Sequence, residues 1–253
     1  MSLSMDLASL QVLMLVSVRI IAFLVIAPPF AQRSFPGTVK VMLGIGLAIA
    51  VLPSMEPSTV NYTTGGYIGA LVIQAFIGVA LGFCVLLVFT AVQSAGGLID
   101  LMGGFAMASS FDPLNNSNGA QFNRMFNMTA LALIFASNAH QIMLGGLFRS
   151  FEFVPPGQGI SLAQLSETLV SGFSTMFMSA VQIAGPLLII VILADIGLGL
   201  LTRVAPALNV FVLGFPLKIY LTLSLVSIVY LTLPRVVEAL SNRSLSYMWE
   251  VIR

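Results

Sequence analysis

Four charged side chains lie in or beside long apolar runs: Arg19, Asp100, Asp195 and Lys218, with Arg203 close to the third. A charge at membrane depth costs roughly 2.5–3.5 kcal/mol on insertion scales, so each needs a partner or a wet cavity. Two kinds of chemistry fit. One is an ion or substrate pathway in which these groups bind what moves. The other is a set of structural salt bridges between packed helices, such as Asp195 with Arg203 or Lys218, which fix register without doing work. Asp100 and Asp195 also suit an intramembrane carboxylate dyad of the peptide-cleaving kind. Other catalytic signatures are missing. The chain has no His-Glu-x-x-His zinc helix, no Gly-x-Ser-x-Gly elbow and no Gly-rich phosphate loop ending in Lys-Ser/Thr. The single histidine, His140, lacks companion ligands and reads as a satisfied residue on a helix. No catalysis, metal or cofactor is expected.

Two further stretches are chemically unusual. The run Asp100-Leu-Met-Gly-Gly-Phe-Ala-Met-Ala-Ser-Ser-Phe-Asp-Pro113 is apolar, too short to span as a helix, and interrupted by Gly103 and Gly104. A charge-poor loop bearing Phe105, Met107 and Phe111 is costly in water, so something must cover it. In a channel it would serve as a plug, since soft apolar side chains close pores by dewetting. The same run suits a re-entrant loop buried for packing alone, and the 13 methionines fit either view. The second stretch, Ala194 to Lys218, carries Pro206 and Pro216, each lacking a backbone donor, and Gly197, Gly199 and Gly214. Broken helices at membrane depth survive only when buried in protein or lining a cavity. Such breaks bind ions in transporters, and they equally make the turn of a helical hairpin.

The elements that must position these residues are apolar. A helix needs roughly 20 mostly apolar residues to cross the hydrocarbon core, and about six segments are candidates. They are Leu7 to Phe30, Val41 to Met55, Tyr67 to Gln93, Met125 to Phe148, Thr168 to Ala194 (interrupted by Pro186) and Ile219 to Leu233. Gly78 and Gly82 form a Gly-x-x-x-Gly on the third, which permits close helix contact. Residues 94–124 read as a plug-like loop region and 194–218 as a broken hairpin. Pro234 to Arg253, with regularly spaced charges, reads as a solvated or interfacial helix anchored by Tyr247 and Trp249. The loops between spans leave no room for a soluble domain, so one helical domain over 1–253 is expected.

Composition agrees. Of 253 residues, 58% are hydrophobic and 8% charged, against roughly 25% charged in an ordinary soluble domain. Ten basic and nine acidic residues cannot cover a soluble globule of this size, and the mean hydropathy is +1.04. A net charge of +1 without a basic run excludes a nucleic-acid footprint. The lone Cys84 cannot form an internal disulfide. No basic residue precedes the first apolar stretch and no small-residue cleavage site follows it, so a removable signal peptide is not expected. Distributing Arg and Lys over alternate loops gives nearly equal totals on the two sides. Simple insertion leaves a positive-inside bias, so these segments are not all expected to span.

The 194–218 stretch resembles the FliR family of flagellar biosynthetic proteins, membrane components of the type III export gate. The resemblance rests on Ala194-Asp195, Leu198 to Leu201, Arg203, Ala205-Pro206, Leu208-Asn209-Val210-Phe211 and Gly214-Phe215-Pro216-Leu217-Lys218. The Gly103 to Ala108 run followed by Asp112-Pro113 is similar to the family's glycine- and methionine-bearing loop. Arg19, Pro28 and Pro36 sit where its first hairpin carries Arg and Pro. Virulence-secretion relatives usually depart around Gly214 to Pro216, which favours the flagellar branch.

The resemblance implies an all-α, polytopic membrane-type protein of kinked hairpins, one copy of which joins several copies of FliP and FliQ beneath the base of the rod. FlhB and FlhA would complete the gate in the bacterial inner membrane. Unfolded rod, hook and filament subunits would pass through the centre, with much of the complex raised towards the periplasm. Gly103, Gly104, Phe105, Met107 and Phe111 would belong to a closed plug. Asp195, Arg203 and Lys218 would hold the broken hairpin against partner subunits. The proton-motive force and a separate ATPase would supply the energy. The alternative is a small-solute secondary transporter using Asp100 and Asp195 as proton carriers.

Overall fold

In an apolar surround a helix satisfies its own backbone, and this chain takes that solution wherever glycine and proline allow it. The structure, a computed structural model, describes residues 7–32, 34–55, 63–108, 121–206 and 209–252. The helices are α1 (Leu7–Ile26), α2 (Gly37–Val51), α3 (Thr64–Met102), α4 (Phe105–Ala108, a single turn), α5 (Gln121–Ala136), α6 (Ala139–Phe153), α7 (Leu162–Val204) and α8 (Val210–Ile252). Among the described residues there is no strand.

The boundaries follow local chemistry. α2 starts directly after Pro36 and ends in a 3₁₀ turn, Leu52–Ser54, that contains Pro53. No proline occurs between Pro57 and Pro113, and α3 runs unbroken for 39 residues until Gly103 and Gly104, the latter at φ +84°. Only glycine takes that conformation without strain, and it commonly ends helices. α6 stops before the Pro155-Pro156 pair, as the steric demand of proline on its predecessor requires.

Several expectations are corrected. The segment from Met125 to Phe148 is not one helix. It breaks between α5 and α6, where Asn138 adopts φ 56°, a region that asparagine enters more readily than most residues. Pro186 lies within α7 and Pro216 and Pro234 within α8, so none of the three ends a helix. A proline forfeits one hydrogen bond, and here 43 residues of flanking helix carry the continuity across it. Within 194–218 the described residues are helical up to Val204 and again from Val210, with Gly214 inside α8 and Pro206 in a turn. Within 94–124 the described residues are helical up to Met102, in the single turn α4 and again from Gln121. Pro234 to Ile252 is not a separate polar helix but the continuation of α8. One of its faces is buried through Leu233, Val237, Leu240, Ser244, Met248 and Val251.

The chain divides into two compact units, with α3, α7 and α8 contributing to both. The first comprises Met1–Val88, Asn138–Phe173 and Leu240–Arg253. Its core is a set of stripes at three- and four-residue intervals, the signature of one buried helix face. They include Leu15, Phe23, Ile77, Leu81, Met143 and Leu147. α1 packs on α3 at Gly78-x-x-x-Gly82. A Cβ on Gly78 would collide with the Arg19 carbonyl oxygen, and one on Gly82 would lie 3.1 Å from the Phe23 oxygen. Gly146 likewise admits Leu245 and Met248 of α8. The second unit comprises Phe89–Ser137 and Ser174–Ala239. Here α5 turns Phe122, Phe126, Ala130 and Ile134 inward. Phe126 meets Tyr230 edge-on at 5.2 Å, and Thr129 Oγ1 and the Tyr230 hydroxyl are hydrogen-bonded at 3.2 Å.

Among the described residues four helices are long and apolar enough to cross a membrane, or up to five if α5 and α6 count as one span. That is fewer than the six segments anticipated. α2, at 15 residues, reaches only about 22 Å, short of a hydrocarbon core roughly 30 Å thick. The outer surface is greasy: Val170, Phe177, Ile189, Leu193, Leu200 and Val204 of α7 are all exposed.

Adding one methyl group tests the α1–α3 contact. Gly78→Ala is expected to lower thermal stability by roughly 1–3 kcal/mol, because the neighbour is backbone and cannot step aside. Gly69→Ala on the same helix meets nothing within 4 Å and is expected to leave the melting temperature in detergent unchanged.

Candidate functional site

Arg19 is fully buried, and among the described residues its contacts are all neutral. Its Nε donates to Gln74 Oε1 at 2.7 Å. Nη1 donates to the Ser150 carbonyl at 3.1 Å and to Ser150 Oγ at 3.2 Å, and Nη2 donates to the Val154 carbonyl at 2.8 Å. The Phe151 ring lies 4.3 Å from the guanidinium carbon. Ser150 and Val154 belong to the last turn and C-cap of α6. The final carbonyls of a helix have no partner within it and form the negative end of the macrodipole. Arg19 is therefore a cationic C-cap delivered from another helix, and it ties α1 and α3 to the end of α6.

Asp100 makes the complementary arrangement in the second unit. Its Oδ1 accepts the Phe122 N–H at 3.0 Å and its Oδ2 accepts the Asn123 N–H at 2.9 Å. Those amides open α5, whose first turn has free donors and the positive dipole end. Gly96 makes the approach possible, because a Cβ there would stand 2.5 Å from the Phe122 oxygen. Asn123 completes the junction, donating through Nδ2 to the Gln93 carbonyl at 3.1 Å and accepting from Gln93 Nε2 at 3.2 Å. A charge on the third span demands a partner, and that much was readable. The partner itself is two amides lying more than twenty positions on, and spacing carries no signal of it.

Asp195 and Lys218 face each other across the α7–α8 hairpin, Nζ to Oδ1 at 2.7 Å, with the lysine side chain 24% and the aspartate 43% exposed. Gly214 packs in the same hairpin, with Leu198 Cδ1 3.4 Å from where its Cβ would be. Arg203 is exposed near the end of α7 and stands outside this pair. Asp100 and Asp195 have separate partners, so the structure does not bring them together as a dyad.

Of the five residues expected in a plug, Gly103 and Gly104 are buried at the end of α3. Phe105 is half-buried and meets Phe122 edge-on at 5.0 Å. Met107 falls in α4, and Phe111 lies outside the described residues. The turn leans on α8: Phe215 lies 3.4 Å from an ideal Cβ on Gly104, and Thr222 lines the space beside Gly103. Gln74, Gly96, Asn123 and Thr222 were all missed by sequence reasoning, because a polar or small residue in an apolar run shows no target until the helices are packed.

Comparison with known proteins gives consistent matches. Residues 10–244 match the family model described as bacterial export proteins, family 1. The chain is 32% identical over 209 residues to the flagellar biosynthetic protein FliR of Escherichia coli (strain K12), covering 83% of this chain and 80% of that protein. It is 30% identical over 209 residues to FliR of Bacillus subtilis (strain 168), covering 81% of each. It is also similar to the Yop proteins translocation protein T of Yersinia pestis, at 30% identity over 210 residues, 79% of this chain and 78% of that one.

The two helix-end contacts make separable predictions. Arg19→Met keeps the stem but leaves the Gln74 oxygen and the Val154 carbonyl unpaired, and it should destabilise the fold by about 2–3 kcal/mol. Asp100→Asn retains an acceptor for one amide but loses the charge, and it should cost about 1 kcal/mol. Hydrogen exchange should locate each loss, at residues 150–154 for the first and 121–125 for the second.

Proposed function

The chain belongs to family 1 of the bacterial export proteins, and we propose that it is a structural subunit of a type III protein export gate, of the flagellar branch, in the bacterial inner membrane. The observation that carries this beyond family membership is the surface of the α7–α8 hairpin. An ion pair with a 43% exposed carboxylate lies among exposed Ile192, Leu193, Ile196 and Leu217. Lipid hydrocarbon is a poor neighbour for that pair and water a poor neighbour for those side chains. A protein surface that is apolar with a polar insert satisfies both. In this reading Asp195, Lys218 and Arg203 hold the hairpin against partner subunits, homologues of FliP and FliQ, while FlhB, FlhA and the base of the rod complete the apparatus.

The conduit for unfolded rod, hook and filament subunits runs through that assembly, and the region from Gly103 through Phe105 and Met107 to Phe111 contributes to its closure. The reading assigns no catalytic chemistry, cofactor or nucleic acid to the chain. Asp100 bonds two backbone amides, a structural use of a carboxylate that leaves no reason to prefer a proton-carrying transporter.

Deleting residues 104–110 in cells that assemble the whole apparatus tests the closure. The deletion is expected to make the membrane permeable to small ions only when the other gate subunits are present. Unchanged permeability in an assembled complex would remove the closing role.

A further inference from the structure

The turn that ends α3 meets two side chains of α8, Phe215 and Thr222, and the second is chemically unsatisfied. A Cβ on Gly103 would lie 2.6 Å from Thr222 Oγ1, 2.8 Å from the Ile99 carbonyl oxygen and 3.0 Å from Thr222 Cγ2, so the glycine backbone sits against the threonine side chain with no room for a methyl group. Gly104, at φ +84°, faces Phe215, whose Cδ1 would lie 3.4 Å from a Cβ placed there. Thr222 is 0% exposed, and its hydroxyl is the buried side-chain oxygen without a hydrogen-bond partner among the described residues. Other helical threonines here return their hydroxyls to a carbonyl of the preceding turn: Thr129 to Met125, Thr168 to Gln164 and Thr232 to Val229. Thr222 does not.

An unpaired buried hydroxyl biases an equilibrium by on the order of five- to a hundredfold against the state that buries it. The Gly103–Gly104 turn is part of what covers this one. We propose that Thr222 is a positioning residue of the gate. It seats the turn in the closed state, and its unpaired hydroxyl keeps that state from being too stable to leave. When the turn lifts, water or the backbone of an extended passenger chain supplies the missing partner. A group that only filled space would be served as well by valine.

This inference rests on the reading that the region beginning at Gly103 closes the conduit. The test uses cells carrying the complete apparatus, with three readouts: uptake of a small impermeant dye, the amount of exported filament subunit, and co-purification of the chain with the other gate subunits. Thr222→Val keeps the shape and removes the hydroxyl. Export should fall about fivefold or more with co-purification unchanged, and Thr222→Ser should restore it. Gly103→Ala should admit dye, and adding Thr222→Ala, which vacates two of the three colliding atoms and leaves the Ile99 oxygen, should partly reverse the leak. Thr232→Ala on the same helix should not. Wild-type export by an assembled Thr222→Val variant overturns the proposal, as does a Gly103→Ala leak that position 222 does not alter. If Gly103→Ala fails to assemble, the valine–serine pair decides alone. Deletion of residues 104–110 separates the two layers: no leak there removes the closing role itself, whereas a leak together with indifference at position 222 removes only the seat.

Discussion

The constraint on which the rest depends is that a helix end buried in apolar surroundings must find partners for its free backbone groups. α5 and α6 are separated at Asn138, and the start of α5 and the finish of α6 are both buried, at Phe122 and at Ser150. The start of α5 is met by the Asp100 carboxylate and the finish of α6 by the Arg19 guanidinium. Each charge has the sign the local dipole favours. The burden therefore runs both ways: the charge is tolerated at depth because the helix end needs it, and the helix end is tolerated because the charge is there. The cost of burying an isolated ion, which makes such residues rare in apolar spans, is offset by hydrogen bonds that no neutral side chain makes as strongly.

Around these two points the packing is arranged by small residues. Gly78 and Gly82 let α1 lie on α3, and Gly96 lets the first turn of α5 come within reach of Asp100. Without the close approach at Gly96 the carboxylate would stand too far from the amides to bond them. Asp195 and Lys218 are different in kind. They are partly exposed, and their environment is completed only by whatever covers the hairpin.

Much of this was legible in the amino-acid order and some was not. The helical class followed from continuous apolar runs of about twenty residues, the length at which a helix, satisfying its own backbone, crosses hydrocarbon. The pairing of Asp195 with Lys218 was one of two readable options, since both flank the same Pro206 turn. Arg19 and Asp100 were readable as charges that required partners, but not which partners: backbone groups leave no trace in side-chain identity. Proline misled. Pro186, Pro216 and Pro234 looked like breaks because their local penalty is visible, whereas the long-range packing that keeps α7 and α8 continuous is not. The C-terminal charges looked solvated because they are evenly spaced, although the face between them carries Leu240, Ser244, Met248 and Val251 into the interior. Thr222 was invisible for a related reason, since a threonine in an apolar helix ordinarily bonds its own backbone.

The lengths of the helices bear on how such a chain comes to exist. α3 spans 39 residues and α7 and α8 span 43 each, so each is about 58–65 Å long, near twice the depth of bilayer hydrocarbon. A bilayer covers only about half of such a helix, so the other half needs surroundings that hydrocarbon does not supply. If partner subunits cover these helices as proposed, a copy made without them presents long greasy rods to the quality-control proteases, and its abundance is expected to follow the supply of that covering.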